Sequence, residues 1–329
     1  MFGQLYGIEW TQHHFLYYDI QSLDIVQMPR MPADLAAYNG TFQLGFKQDD
    51  SGNLVVAPET FPRVARLWQL TNTRYLLGPA PLLDLFNGQF DPEQHRFRIV
   101  QRFNVLPKPG MAVPDGISPE QFANYLPTEK VTAFPNADGA YALFEFTGAL
   151  PRAKLYSNWE TNSVAALNGF TTNGLNDDEL KTLGNVGTND FLTLKKLVSP
   201  SFDPQQTVLL SAPLSAVPST NQNSGTVGFK SYAPKDIVFN ANAVAPSVLL
   251  LNDKFDPNWR VAVDGQPAQL LRCNYIMRGV YLAPGSHTVE FQFSLPNKPL
   301  YVTLVAIAAG LCLLGLLVFL QRRNPAAGT

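Results

Sequence analysis

The sequence predicts an α+β protein, mainly β, in which a mixed N-terminal region precedes a C-terminal antiparallel β-sandwich and one transmembrane helix. Three observations support this fold class. Turn-forming residues are frequent, with 23 Gly and 26 Pro in 329 residues. Short stretches near the C-terminus alternate apolar and polar residues, as half-buried strands do. Residues 300–320 form one long run without a charged residue.

Residues 1–210 are predicted to form a mixed α/β domain. The apolar spacing over 63–70 is that of a short amphipathic helix, whereas 96–103 has a strand pattern. In that strand Phe97 and Ile99 alternate on one face, and the alternation weakens after Ile99. The N-terminal region is therefore expected to contain both helices and strands.

The strands toward the C-terminus give the clearest pattern. Residues 211–224 are polar, contain Pro and lack aromatic side chains, so they are predicted to be a linker. Residues 225–294 follow as the predicted β-sandwich domain. Within it, apolar residues alternate over 259–263 up to Asp264-Gly265, a pair that closes two-residue hairpins because both residues tolerate positive φ.

Residues 300–320 are predicted to cross a membrane, because about 20 apolar residues span the hydrocarbon core of a bilayer. The alternative is a buried core helix, but such helices normally carry a polar stripe. The positive-inside rule places Arg322 and Arg323 in the cytoplasm. We therefore expect a membrane protein in which 321–329 form a cytoplasmic tail and residues 1–299 are extracytoplasmic.

The N-terminus does not supply the export signal that this topology needs. Its first residues, MFGQLYGIEWTQHHFLYY, contain no basic n-region, continuous apolar h-region or small-residue cleavage site. Two interpretations follow: a tail-anchored cytosolic protein, or the C-terminal portion of a longer polytopic protein.

Composition and motifs give no enzyme signature. With 24 Lys+Arg against 26 Asp+Glu, the formal net charge is −2, so no nucleic-acid partner is expected. Phosphate-binding, dinucleotide, nucleophile-elbow and zinc-protease motifs are not found in the sequence. Ser286 and His287 stand beside a Pro-Gly turn, but the sequence identifies no acid to complete a triad. We therefore expect no catalytic residue, no metal site and no cofactor.

Trp259 and Asp264 are the candidates for substrate binding. An aromatic face stacks on the C–H face of a sugar, and a carboxylate accepts hydrogen bonds from its hydroxyls. Each residue also has a structural interpretation, which is favoured: Trp259 as a core residue, and Asp264 as a residue at positive φ. A further aromatic cluster near the start has the same two interpretations; its members are Tyr6, Trp10, Phe15, Tyr17 and Tyr18.

Several motifs occur in a fixed order along the second half of the chain. They are Asn258-Trp259, Asp264-Gly265, Arg278-Gly279-Val280 and Pro284-Gly285. This order, followed by a final strand and one transmembrane helix, resembles the last extracytoplasmic segment of YfhO-type bacterial membrane proteins. Two upstream stretches, 67–77 (LWQLTNTRYLL) and 144–154 (FEFTGALPRAK), are also similar to that family. The resemblance spans most of residues 60–320.

The resemblance implies a location in the bacterial cytoplasmic membrane and a role in glycosylating cell-envelope polymers from lipid-linked sugar donors. In that family a polytopic N-terminal half, similar to GT-C glycosyltransferases, carries the acidic catalytic residues. This sequence has one span and departs from the family there, so no catalytic residue is carried over. The implied partners are the lipid bilayer, the missing polytopic half and a cell-envelope glycopolymer. Helices preceding this chain would also explain how it is exported, and a fragment, a split gene or a late start codon would all fit.

Two hypotheses follow. The first is the extracytoplasmic, membrane-anchored C-terminal part of a YfhO-like protein, noncatalytic by itself. The second is a membrane-anchored carbohydrate-binding or scaffolding module with no glycosyltransferase role.

Overall fold

The computed structural model describes residues 17–18, 20–23, 31–43, 45–49, 52–219, 221, 223–295 and 298–323. They form a mixed α+β structure with several antiparallel sheets and a long apolar C-terminal helix, which confirms the predicted fold class. Residues 324–329 of the predicted tail lie outside the described residues, as do Tyr6, Trp10 and Phe15 of the N-terminal aromatic cluster. Tyr17 and Tyr18 of that cluster are described and exposed, so they are not the core residues that the favoured interpretation expected.

The elements follow one another as a mixture of short helices and strands. The helices are α1 (Ala33–Phe42), α2 (Phe61–Leu70), α3 (Leu82–Leu85, continued by a π turn over Phe86–Phe90), α4 (Pro119–Ala123), α5 (Val164–Asn168), α6 (Asp177–Val186), α7 (Thr188–Leu197) and α8 (Lys298–Arg323), with 3-10 turns at Pro58–Thr60 and Thr128–Lys130. The strands are β1 (Phe46–Gln48), β2 (Leu54–Val56), β3 (Tyr75–Pro79), β4 (Phe97–Pro107), β5 (Val131–Pro135), β6 (Tyr141–Phe146), β7 (Ala153–Tyr156), β8 (Asn158–Glu160), β9 (Thr207–Leu209), β10 (Gly225–Ala233), β11 (Asp236–Ala243), β12 (Ser247–Lys254), β13 (Trp259–Val263), β14 (Gln266–Ala268), β15 (Leu271–Cys273), β16 (Met277–Leu282) and β17 (Gly285–Phe293).

Two antiparallel sheets pack face to face toward the C-terminus. The outer sheet has the strand order β10-β11-β17-β13-β14, and the central sheet has the order β15-β16-β12-β7. Phe239 and Phe291 of the outer sheet share one buried cluster with Leu249 and Leu251 of the central sheet. Alternate residues of each strand fill this core, because successive side chains of a strand point to opposite faces.

The central sheet is covered on its second face as well. Val248 and Leu250 of β12 belong to another buried cluster, which contains Tyr38 of α1 and Leu197 of α7. Strand β12 is therefore buried on both faces, which explains why its sequence is a continuous apolar run rather than an alternating one.

The sandwich also includes a strand from outside residues 225–294. Strand β7, which precedes the predicted linker, pairs with β12 over four residues and forms an edge of the central sheet. Two residues of the predicted linker contact the rest of the fold. The N–H of Ser219 donates to the C=O of Ser157 at 2.8 Å, and Leu214 packs against the buried cluster that contains Tyr38.

A separate four-stranded antiparallel sheet, which we call the N-terminal sheet, has the order β3-β6-β4-β5. One face packs on helix α2 and the π turn, where Phe86, Phe97, Phe144 and Phe146 form an aromatic core. The register of β4 against β6 shifts between Ile99 and Gln101, so a β-bulge interrupts the alternation there.

The Asp264-Gly265 hairpin has the predicted geometry. Val263 of β13 pairs with Gln266 of β14, so the two residues between them form the loop. Both have positive φ, 51° for Asp264 and 75° for Gly265, as a type I′ turn requires.

Helix α8 contains the stretch Tyr301–Leu320, which is long and apolar enough to cross a membrane and is not buried against the rest of the described structure. At 1.5 Å per residue, 20 residues extend about 30 Å, the thickness of a hydrocarbon core. The structure is thus consistent with one membrane span at the C-terminus.

Candidate functional site

A cleft of about 640 Å³, which we call the edge cleft, opens at one edge of the sandwich. Strand β7 and the beginning of β10 line it, together with parts of the loops that precede β9 and β10. Most of its lining side chains are amides or hydroxyls: Asn158, Gln205, Gln206, Asn221, Asn223, Ser157, Ser219, Ser224 and Thr226. Such groups both donate and accept hydrogen bonds.

Part of the β7 backbone faces this cleft. The N–H of Asn252 donates to the C=O of Arg152 at 2.8 Å, and antiparallel partners alternate between hydrogen-bonded and non-hydrogen-bonded pairs. In the observed register, this alternation directs the N–H and C=O groups of Ala153 and Leu155 away from β12, toward the cleft that both residues line. From the described residues outside this strand pair, no hydrogen bond reaches these four groups.

At Ser157, the residue that follows β7, the backbone groups are hydrogen-bonded by the segment that precedes β10. The N–H of Ser157 donates to the Ser224 hydroxyl at 3.0 Å, and the C=O of Ser157 accepts from the N–H of Ser219 at 2.8 Å. The Ser157 hydroxyl also donates to the C=O of Asn221. These bonds fix one end of the cleft. The unpaired backbone groups of Ala153 and Leu155 continue from there along β7.

Lys154 places a cation in the edge cleft. Its Nζ donates to the C=O of Gln205 at 2.6 Å and lies 5.0 Å from the centroid of the Tyr156 ring. Burial lowers the pKa of Lys154, and the nearby Asp203 carboxylate opposes that shift. The ammonium group is therefore fixed in position beside the polar lining.

A second, shallower depression of about 360 Å³ lies on the outer sheet, where Asp264 faces His287. His287 Nδ1 is 2.7 Å from Asp264 Oδ2, and His287 Nε2 is 2.8 Å from the C=O of Ala283. The other carboxylate oxygen, Oδ1, accepts from the N–H of Thr288 at 2.8 Å. Asp264 thus connects its own hairpin to the beginning of β17.

The structure corrects the expectation that His287 lacks an acid partner, since Asp264 fills that role. The arrangement is nevertheless not a nucleophilic triad. Both ring nitrogens face acceptors, a carboxylate and a carbonyl, so the cationic imidazolium satisfies both bonds and no nitrogen remains to activate a nucleophile. Ser286 Oγ instead lies 3.3 Å from Asn242 Oδ1.

The Asp264–His287 bond shifts the pKa values of both groups. It raises the pKa of His287 above its ordinary value, against an opposing effect of burial. It also lowers the pKa of Asp264, and the N–H of Thr288 adds to that effect. The pair therefore favours a charged imidazole and a charged carboxylate.

Trp259, the other sequence candidate, lines neither cavity. Its ring lies under the buried Arg278 guanidinium, whose central carbon is 3.9 Å from the ring centroid. Arg278 donates to Asp253 at 2.8 Å, and Asp253 also accepts from Arg152 at 2.7 Å. Trp259 is therefore part of a packed ionic cluster, and the structure does not bring it together with Asp264 in one site.

The residues of the edge cleft are absent from the sequence candidates. The amide and hydroxyl side chains come from three segments that are distant in sequence: Ser157 and Asn158 after β7, Gln205 and Gln206 before β9, and residues between Ser219 and Thr226. The Ser- and Asn-rich composition of 219–224 was a signal, but composition alone also fits a linker. The chain matches no protein-family model, no curated protein and no solved structure.

Proposed function

We propose that this protein is a membrane-anchored, extracytoplasmic binding module that holds a cell-envelope glycopolymer in the edge cleft and does not itself transfer sugar. The observation that carries the proposal is the combination of side-chain amides, hydroxyls and unpaired backbone groups along β7 in one cleft. Sugar hydroxyls are donors and acceptors at once, so they complement such a lining.

A peptide added as a strand along β7 is the main rival ligand. Strand addition derives its affinity from backbone bonds and its specificity from pockets that receive alternate side chains. In the edge cleft the side chains opposite β7 are amides and hydroxyls. This lining favours a hydroxyl-rich ligand over a row of apolar peptide side chains.

The geometry at His287 supports a noncatalytic role for the second depression. A general base needs a free nitrogen lone pair within reach of its substrate. The two ring nitrogens of His287 are both engaged, by Asp264 and by Ala283. We therefore assign that pair to stabilising the sandwich rather than to sugar transfer.

Ligand binding can be tested with the full chain in lipid nanodiscs and an array of bacterial cell-envelope oligosaccharides. Gln206 is exposed and lines the cleft, so Gln206→Trp should fill the cleft and abolish glycan binding. Gln292→Trp, at an exposed position on β17 outside the cleft, is the matched control and should bind normally. Binding of extended peptides without glycan binding, or full glycan binding by Gln206→Trp, would overturn the proposal.

The proposed topology places residues 1–299 outside the cytoplasm and the end of α8 inside. An apolar stretch of 20 residues followed by two arginines supports it. Protease added to intact cells without their outer barriers should digest the domain. Protection of residues 1–299 until the membrane is permeabilised would contradict this orientation.

Within this proposal, we place the chain in a YfhO-like glycosylation system. Three of the stretches that carry the resemblance meet in one structural feature, since Arg152 and Arg278 both bind Asp253 and Arg278 also stacks on the Trp259 ring. The cheapest discriminator is the DNA upstream of Met1. An in-frame series of hydrophobic spans supports the YfhO-like system, whereas a promoter and genuine start support an independent glycan-binding module.

A further inference from the structure

The face of the N-terminal sheet that points away from the aromatic core is largely apolar, and Arg98, Gln101 and Glu145 are its polar members. Ala142, Phe144 and Phe146 of β6 point into the core, so alternation directs the residues between them to the opposite face. We call this opposite face, formed by Tyr75 and Leu77 of β3, Tyr141 and Leu143 of β6, and Phe103 of β4, the aromatic face.

Cross-strand pairing makes the aromatic face continuous. Leu77 pairs with Leu143, and Tyr141 pairs with Phe103, whose ring centroid lies 5.9 Å from that of Tyr141. At the β3 edge, Tyr75 is 52% and Leu77 37% exposed. Phe103, Tyr141 and Leu143 behind this edge are half-buried. Because the solvent side of an antiparallel sheet normally carries polar side chains, the exposed apolar pair at the β3 edge indicates an interaction surface.

Two arginines border the aromatic face at one end. Arg74 and Arg98 bind the two oxygens of the buried Glu145 carboxylate, at 2.6 and 2.5 Å. Each uses its Nε and Nη2 atoms for this contact, and no described residue accepts a hydrogen bond from Nη1 of either arginine. Their side chains are 58% and 67% exposed, whereas that of Glu145 is 5% exposed. The solvent therefore meets the cations and not the carboxylate.

We propose that the aromatic face rests on the anionic lipid bilayer, with Tyr75 and Tyr141 at headgroup depth and Arg74 and Arg98 bound to lipid phosphates. Tyrosine rings bordered by arginines suit the membrane interface, where one end of a side chain is in apolar and the other in polar surroundings. Arginine also offers several donors to a phosphate at once.

Anchoring of the chain makes this contact accessible. Four residues separate the end of β17 at Phe293 from the beginning of α8 at Lys298, and they span at most about 14 Å. A domain tethered this closely meets the bilayer at high effective concentration, so a modest surface affinity is enough. The inference rests on the membrane anchoring proposed above but is independent of glycan binding.

A fluorescent reporter in the full chain tests the contact. The background variant is Cys312→Ala, which removes the exposed native thiol, and the other cysteine, Cys273, is buried. In this background Leu77→Cys is labelled with the environment-sensitive dye nitrobenzoxadiazole. The labelled chain is placed in nanodiscs that contain phosphatidylglycerol. Val164→Cys on α5, an apolar position that is 71% exposed, is the matched control. We expect blue-shifted emission and quenching by spin-labelled lipid at position 77 and neither at position 164.

The contribution of charge is tested by Arg98→Gln, which leaves the Arg74–Glu145 pair in place. This variant should weaken the association of the aromatic face with the bilayer about 5-fold. Replacing phosphatidylglycerol in the nanodiscs by the neutral lipid phosphatidylcholine should weaken it at least as much. Water-like, unquenched emission at position 77 would overturn the proposal, and so would lipid-independent burial accompanied by cross-linking to a second copy. Failure of the chain to enter nanodiscs would overturn the anchoring as well, whereas the other results leave it standing.

Discussion

The central guanidinium carbon of Arg278 lies 3.9 Å from the centroid of the Trp259 ring, so the cation stacks on the indole ring. The Arg278 side chain is only 3% exposed, and it donates both to Asp253 and to the C=O of Lys254. Arg152 binds the same carboxylate from β7's N-terminal side. One acidic side chain thus holds two arginines that come from distant parts of the chain.

Removing the charge of Asp253 should destabilise the fold. In Asp253→Asn the buried Arg278 loses its counter-ion, and breaking a buried pair in this way costs about 3–5 kcal/mol. Chemical denaturation of the detergent-solubilised chain measures the free energy of unfolding. Asp236→Asn, at an exposed position beside the β10–β11 turn, is the control and should change that free energy by less than about 0.5 kcal/mol. Equal stability of the two variants would show that the Arg278–Asp253 pair is not structural.

Gly279 should not tolerate a side chain. It lies in the middle of β16, and a Cβ there would be 2.6 Å from the C=O oxygen of Leu249 and 2.8 Å from the Cys273 sulfur. The backbone oxygen cannot rotate aside, so Gly279→Ala should lower the free energy of unfolding by about 1–3 kcal/mol. Gly228→Ala in β10 is the matched control, because nothing lies within 4 Å of its Cβ position. An unchanged free energy of unfolding in Gly279→Ala would contradict the close packing of β16 against β12 and β15.

Charges in the middle of α8 should prevent stable membrane insertion. Leu311→Arg combined with Leu314→Arg places two cations on one side of the apolar stretch Tyr301–Leu320, and each costs about 2.5–3.5 kcal/mol at the centre of a span. The fraction of chain that resists extraction by alkaline carbonate should fall sharply. The double variant with Phe at both positions keeps the helix apolar and should remain membrane-bound. Carbonate resistance of the double arginine variant would argue against a spanning helix.

Local signals in the sequence were sufficient for the C-terminal strands. Strand β13 and the Asp264-Gly265 hairpin follow from residue alternation and from one dipeptide that tolerates positive φ, both of which are properties of neighbouring residues. The irregular alternation after Ile99 also has a local cause, since the bulge between Ile99 and Gln101 moves Gln101 to the other face of the sheet.

Long-range pairing could not be predicted in the same way. Arg152 and Asp253 are 101 residues apart, and only the pairing of β7 with β12 brings them together. The edge cleft depends on the same pairing, because its lining combines β7 with parts of the loops that precede β9 and β10. For Asp264 and His287 the missing information was the neighbour relation between β13 and β17, which pairs Val263 with Val289.

The Asp264–His287 pair predicts a defined dependence of stability on pH. The raised pKa of His287 means that its contribution is complete below the ordinary histidine value of about 6.5 and is lost as the pH rises through the raised pKa. The lowered pKa of Asp264 means that its contribution is present above about pH 4 and is lost as the pH falls through the lowered pKa. The pair should therefore stabilise the sandwich most between about pH 4 and 6.5.

Asp264→Asn tests this dependence without disturbing the hairpin, because Asn tolerates the positive φ of 51° as well as Asp does. Titration by NMR should show the pKa of His287 falling toward its ordinary value, since its bond to the carboxylate is the largest cause of the shift. The loss of thermal stability above pH 6.5 should diminish in parallel. His287→Gln should flatten the same part of the profile, whereas Asp264→Ala would add backbone strain at every pH. An unchanged His287 pKa in Asp264→Asn would show that the carboxylate does not control the protonation of the imidazole. The assignment of the Asp264–His287 pair to stabilising the sandwich would then be wrong.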